Sequence, residues 1–234
     1  MLGSWKKTLE LAFINHRLIS EVNRTRQVNW LIIDLGIGHV AAEHINEVLD
    51  QMLLGLNRLF KYKKVKQASL GYFRMLDIIK EEEQLSPVIH ILMPTIRGYF
   101  QGRYYIKLSE WSSYWRRALD MNPDYNLSLN VNVLNNKSDQ PSITDKMEKG
   151  LVLLHNDLDK APKRNADSIT SRRMIGYSRL LKEQMDFLQP KFVYKLQDYN
   201  LYDAFANNAF ELILDWHPGL REDAKPSLKT LSNL

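Results

Sequence analysis

The chain has 234 residues, 44% of them hydrophobic and 25% charged, with a formal net charge of +5. That size suits one domain with an added tail, and the composition excludes global disorder. No apolar run reaches the ~18–20 residues of a membrane helix, and Lys6, Lys7 and Glu10 interrupt the N-terminal segment, so neither a membrane span nor a secretory leader is expected. The chain has no cysteine, which rules out disulfides, thiolate metal sites and a cysteine nucleophile and fits a cytoplasmic protein.

Leu9, Phe13, Ile14, Leu18 and Val22 recur at helical spacing and predict a helix over 5–22. The run VNWLIIDL at 28–35 is short, apolar and ends near Gly36 and Gly38, the pattern of a buried strand. From 41 to 60, Ile45, Val48, Leu49, Met52, Leu53, Leu56, Leu59 and Phe60 form an amphipathic helical stripe. Strands follow at 68–79 and 87–94, joined by a polar connection at 80–85 short enough for an antiparallel hairpin. Ser109 is the expected N-cap of an aromatic-rich helix over 110–119. The run LSLNVNVL at 127–134 alternates apolar and polar residues as a half-buried strand does.

Beyond 134 the texture changes. Loops are expected at 135–142 and 160–167, helices at 171–188 and 200–214, and a fraying polar tail from Pro218 onward. The order predicts an α+β fold: a central, mainly antiparallel sheet with flanking helices and a helical C-terminal region. The expected organisation is an N-terminal helix (1–27), an α+β domain (28–185), a helical segment (186–217) and a flexible tail (218–234).

The basic residues are clustered. The run RLFKYKKVK at 58–66 holds five basic residues and no acid, and 160–195 holds nine Lys/Arg against Asp167, Glu183 and Asp186. Such clusters, interleaved with Tyr and Phe, supply phosphate contacts and stacking surfaces for a nucleic acid, although each also suits a solvated helix face.

The segment from Gly71 to Leu119, GYFRMLDIIKEEEQLSPVIHILMPTIRGYFQGRYYIKLSEWSSYWRRAL, carries a distinctive series of motifs. It has a GYFR strand, a hydrophobic strand ending in His90, a Tyr99-Phe100-Gln101-Gly102 turn and a Glu110-Trp111 to Trp115-Arg116-Arg117-Ala118-Leu119 helix. Downstream stands Arg172-Arg173-Met174-Ile175-Gly176-Tyr177, continuing to Lys182-Glu183. In pattern and order, over roughly 30–185, the chain resembles the replication initiators (Rep proteins) of rolling-circle plasmids.

The resemblance implies an HUH-endonuclease-like fold. In that family a His-hydrophobe-His strand and an acidic residue of the neighbouring strand hold a divalent cation, which polarises a phosphate for attack by a tyrosine. Alternation along a strand is what points the two imidazoles to one face. Here the tripeptide is Val88-Ile89-His90, so the first imidazole is replaced by an apolar side chain. Asp77 falls at the acidic position, leaving Asp77 and His90 as partial metal ligands, alongside the plain alternative that His90 is an ordinary histidine of an apolar strand. Two protein ligands hold Mg²⁺ or Mn²⁺ only weakly, so no tightly bound cofactor is expected.

The nucleophile is eroded as well. The interval where the family's tyrosine lies contains Ile143 to Gly150 and no tyrosine from 134 to 176. A later segment, Lys191-Phe192-Val193-Tyr194-Lys195, puts phenylalanine at the tyrosine position, leaving Tyr194 and Tyr199 as nearby substitutes or as packing aromatics. Sites that act as a unit lose most of their power with any member.

The leading expectation is therefore a DNA-binding protein on a nuclease scaffold that does not cut. Its partners would be single-stranded, hairpin or junction DNA, held by Arg58, Lys61, Lys63, Lys64, Lys66, Arg97, Arg103, Lys107, Arg172, Arg173, Arg179 and Lys182. The alternatives are a divergent metal-dependent tyrosine nickase and an assembly subunit that keeps the fold for a protein partner. Nucleotide-binding loops, zinc-protease motifs and serine-hydrolase motifs are absent.

Overall fold

The computed structural model describes residues 2–81, 84–120, 125–136, 140–156, 174–188, 195–216 and 219–222. Helical periodicity at the N-terminus builds α1 (Leu2–Thr25), whose inward stripe includes Leu9, Phe13, Leu18 and Val22. The apolar β-branched run that follows forms β1 (Val28–Ile37), and a short β2 (Val40–Ala41) leads through a 3₁₀ turn into α2 (Ile45–Leu59). A six-residue basic helix, α3 (Lys63–Ala68), precedes the long hairpin of β3 (Gly71–Glu81) and β4 (Gln84–Ile96). Then come α4 (Leu108–Leu119), β5 (Leu127–Val133), α5 (Gln140–Asn156), β6 (Ile175–Ser178), α6 (Arg179–Leu188), α7 (Ala204–Asp215) and β7 (Gly219–Glu222).

The main strand order is β5-β1-β4-β3-β6, with every neighbour antiparallel, while β2 pairs with β4 and β7 with β3. Two-residue alternation divides the sheet's side chains between two cores. Leu31, Ile33, Leu35, Leu76, Ile78, Ile89, Ile91 and Met93 pack on one face with α2 and α4. Trp30, Phe73, Met75 and Leu92 pack on the other with α1, α5, α6 and α7. Polar groups tie the second layer together: Trp30 Nε1 donates to Asn23 Oδ1 (2.8 Å), and Asn23 Nδ2 donates to Asp203 Oδ2 (2.9 Å). Asp203 also caps α7, accepting from the amide of Ala206 (3.0 Å). This is the expected α+β architecture, with the β3–β4 hairpin antiparallel as predicted. Among the described residues no helix is long and apolar enough to cross a membrane.

Several local expectations are corrected. The segment read as one helix over 171–188 is a strand, Ile175–Ser178, followed by the helix Arg179–Leu188, with 171–173 outside the described residues. Tertiary pairing wins over helical periodicity there: the edge of β3 from Tyr72 to Met75 takes its hydrogen-bond partners from β6. Gly176 sits opposite Arg74, where an added Cβ would stand 2.9 Å from the guanidinium Nε. Part of the tail expected to fray is also ordered, because Gly219–Glu222 pairs in parallel with the next stretch of the same edge, Asp77 to Lys80. Residues 223–234 and the loop expected at 160–167 lie outside the described residues. The N-cap of α4 is Lys107 rather than Ser109, because Glu110 reaches back to accept from the Lys107 amide (2.9 Å).

Gly71 opens β3 with φ +152°, and a Cβ there would lie 2.5 Å from the carbonyl oxygen of Ser178. Gly71→Ala is therefore expected to strain the junction of β3 and β6 and to lower the unfolding free energy by about 1–3 kcal/mol. Urea denaturation of the two proteins reads this directly; coincident midpoints would contradict the strain argument.

Candidate functional site

The β1–β4–β3 register brings three ionisable side chains to one face of the sheet. Asp34 pairs with His90 across β1 and β4, and Asp77 pairs with Val88, so Asp77 stands one diagonal step from His90. His90 Nδ1 lies 2.8 Å from Asp34 Oδ1, and Nε2 lies 3.6 Å from Asp77 Oδ2. An ionised carboxylate only accepts, so the Nδ1–H must be the donor to Asp34. Trp216, just beyond α7, stacks on the imidazole with ring centroids 4.9 Å apart and an 11° interplanar angle. Asp77 is 1% exposed, whereas the side chains of His90 and Asp34 retain 14% and 30%. The site is thus closed at β3 and open towards β5, where Ser128, Asn130 and Asn132 are exposed on the same face.

The expected neighbours Asp77 and His90 do converge, but the register adds Asp34, which sequence reasoning did not single out. A signal for it existed: Asp34 is the lone acid inside the apolar run VNWLIIDL, and a charge in a half-buried strand needs a partner. Burial pushes the His90 pKa down, yet hydrogen bonds and charge from Asp34 and Asp77 outweigh it and leave the pKa raised.

The divalent cation that the resemblance implies does not fit these donors as they stand. A metal-bound histidine gives one nitrogen to the metal and the other N–H to an acceptor. Here both nitrogens face carboxylates, and Val88 occupies the alternate position towards Gly36 and Asp77. Among the described residues no group of three or more His, Asp or Glu is arranged to hold a metal ion.

Helix α5 occupies the stretch where a tyrosine nucleophile was sought, and its inward residues Ile143, Met147, Leu151 and Leu154 are core. Tyr199 is 6% exposed, with its ring 5.2 Å from Phe13 and 5.5 Å from His16. Tyr194 and Phe192 lie outside the described residues.

The basic residues divide into two groups. Arg58 donates to the carbonyl of Ala118 (3.2 Å) at the end of α4, and Lys64 grips the Glu110 carboxylate (2.7 Å). Arg179 donates to the carbonyls of Lys66 (3.2 Å) and Ser69 (2.9 Å). These three cations fasten segments to one another. Lys61, Lys63, Lys66, Arg97, Arg103, Lys107 and Lys182 are exposed, as are Arg58 and Arg179, and Arg103 stacks on the adjacent Tyr104 with its guanidinium 4.6 Å from the ring centroid. The fastenings draw α3, the turn after β4 and the start of α6 to one end of the sheet, so separate sequence clusters become one basic region. Arg172 and Arg173 lie outside the described residues.

A raised histidine pKa contributes stability fully below the unfolded value, near 6.5, and loses it as pH rises through the folded value. Asp34→Asn should lower the His90 pKa and shrink the fall in stability between about pH 5 and about pH 9. An NMR titration of the His90 ring with urea melts at both pH values measures this. An unchanged His90 pKa would mean that Asp34 does not stabilise the imidazolium.

The profile of a family described as "Replication protein" matches residues 2–223. A curated relative from Bacillus amyloliquefaciens, named "Protein rep", is 31% identical over 252 aligned residues, covering 93% of this chain and 72% of the relative. A second "Protein rep", from a Bacillus species, is 31% identical and covers 77% of this chain and 66% of the relative. A "Replication protein" from Staphylococcus aureus is 26% identical over 183 residues, covering 72% of this chain and 78% of the relative. No solved structure matches significantly. The chain belongs to the replication protein family of rolling-circle plasmid initiators, the family its central motifs resemble.

Proposed function

We propose that this chain binds DNA through the basic end of its sheet and leaves the phosphodiester backbone intact. The observation that carries the reading is the bracketed imidazole: His90 stands between Asp34 and Asp77, with Val88 where a second imidazole would be needed. The cations of α3, the turn after β4 and α6 are exposed, where they can meet phosphates. Affinity for a polyanion depends on those cations rather than on the cutting chemistry, so the two properties can separate. The family membership and the relatives' names support a place in plasmid replication. A divergent nickase is the second reading, favoured by the convergence of Asp34, His90 and Asp77 on a face open towards β5.

The test is a mobility shift with hairpin, single-stranded and duplex DNA at low salt, beside a nicking assay with Mn²⁺. Binding without nicking is expected, with affinity falling steeply as salt rises. Replacing Lys61, Lys63 and Lys66 together with Ala should weaken binding and flatten the log–log salt slope by up to about 2–3, near one for each phosphate no longer neutralised. No binding to any of the three DNAs would remove the reading, and Mn²⁺-dependent nicking would promote the nickase.

Val88→His gives the strand two imidazoles on one face and is expected to strengthen Mn²⁺ binding in calorimetry. Equal affinities in the two proteins would mean that residue 88 does not face the Asp77–His90 pair.

A further inference from the structure

The turn between β4 and α4 has a composition that neither the cores nor the carboxylate–imidazole site uses. Phe100, Tyr105 and Leu108 are 46%, 43% and 56% exposed, so three large apolar side chains lie open within nine residues. They are held there by a buried residue. Tyr99 is 1% exposed and belongs to the core under α2 and α4, and its ring touches both Phe100 (centroids 5.0 Å apart) and Tyr105 (5.7 Å). Phe100 and Tyr105 stand side by side with centroids 6.3 Å apart. The two rings therefore project from an anchored base.

The charge of the turn that carries these rings has one sign. Arg97, Arg103 and Lys107 of the same turn are exposed, and the chain has no Asp or Glu from 84 to 109. The neighbouring α3 adds exposed Lys63 and Lys66, and the next acid along the chain, Glu110, is held by Lys64. An apolar platform ringed by cations fits a partner that is itself apolar on its faces and anionic along its backbone. Unpaired bases have that chemistry, whereas a duplex hides its base faces in the stack. His90 lies six residues before the end of β4, so the turn is roughly 20 Å from the imidazole along the strand. The platform is therefore a separate surface.

We propose that Phe100 and Tyr105 form a stacking platform for unpaired bases of single-stranded DNA, with Arg97, Arg103 and Lys107 holding the flanking phosphates. This rests on the DNA-binding reading above and assigns the strand-selective part of it to one turn.

The test is fluorescence anisotropy of the full chain with a labelled mixed-sequence single strand and with the blunt duplex of the same sequence, across a salt series. Phe100→Ala with Tyr105→Ala is expected to lose about tenfold or more in single-strand affinity. Duplex affinity and the salt slope should stay unchanged, because every phosphate-binding cation is kept. Arg97→Ala with Arg103→Ala and Lys107→Ala should weaken both DNAs and flatten the slope. The conservative pair Phe100→Tyr with Tyr105→Phe should keep the single-strand affinity, which separates stacking from any effect on folding. Wild-type affinity in the double-alanine variant, or equal losses on single strand and duplex, would overturn the platform while leaving DNA binding standing. A wild-type chain that binds neither DNA would overturn both, and a self-association abolished in the double-alanine variant would reassign the turn to an interface between copies of this chain.

Discussion

Side chains on a strand change face with every residue, and β4 is bonded on both edges, to β1 and to β3. One register therefore decides the composition of both cores and of the site. The pairing of Asp34 with His90, and of Asp77 with Val88, sends Ile89, Ile91 and Met93 to the α2–α4 core and His90 and Leu92 to the opposite face. A slip of one residue would drive the imidazole into the apolar core and turn three buried hydrophobes towards polar neighbours, a large penalty from both sides. The same constraint that keeps the cores dry holds the imidazole between two carboxylates.

Covering the outer edge of β3 completes the arrangement. β6 pairs with its first half and β7 with the stretch beginning at Asp77, so neither half is left with open backbone groups. Just before β7, Trp216 lies flat on His90 and also near Phe73. The end of the chain thus walls the site on one side, and the open side is the polar face of β5. Among the described residues, approach to His90 is from that side.

That basic end is a product of antiparallel topology. The start of β3, the end of β4 and the end of β6 lie together because the strands alternate in direction, and the segments attached to them carry the cations. Arg58, Lys64 and Arg179 spend their donors on carbonyls and a carboxylate, which positions the neighbouring exposed cations. A count of Lys and Arg in the sequence weighs these two kinds of residue alike, although Arg58 and Arg179, themselves exposed, have donors committed to carbonyls of other segments.

Local pattern by itself determined the first helix, the buried first strand, the β3–β4 hairpin and the alternating β5, because each depends on side-chain periodicity within a short window. Motif order determined the family, and the spacing of Asp77 and His90 across a short connection was enough to make them neighbours. Only the tertiary structure decided that Asp34 joins them, since the β1–β4 pairing brings together residues as far apart in sequence as Asp34 and His90, a separation of 56 positions. It alone also decided that Ile175–Ser178 and Gly219–Glu222 are strands, because their preference was set by the unpaired edge of β3 rather than by their own residues. Which basic residues fasten segments together was decided in the same way: the partners of Arg58, Lys64 and Arg179 come from distant segments, and no local window contains them.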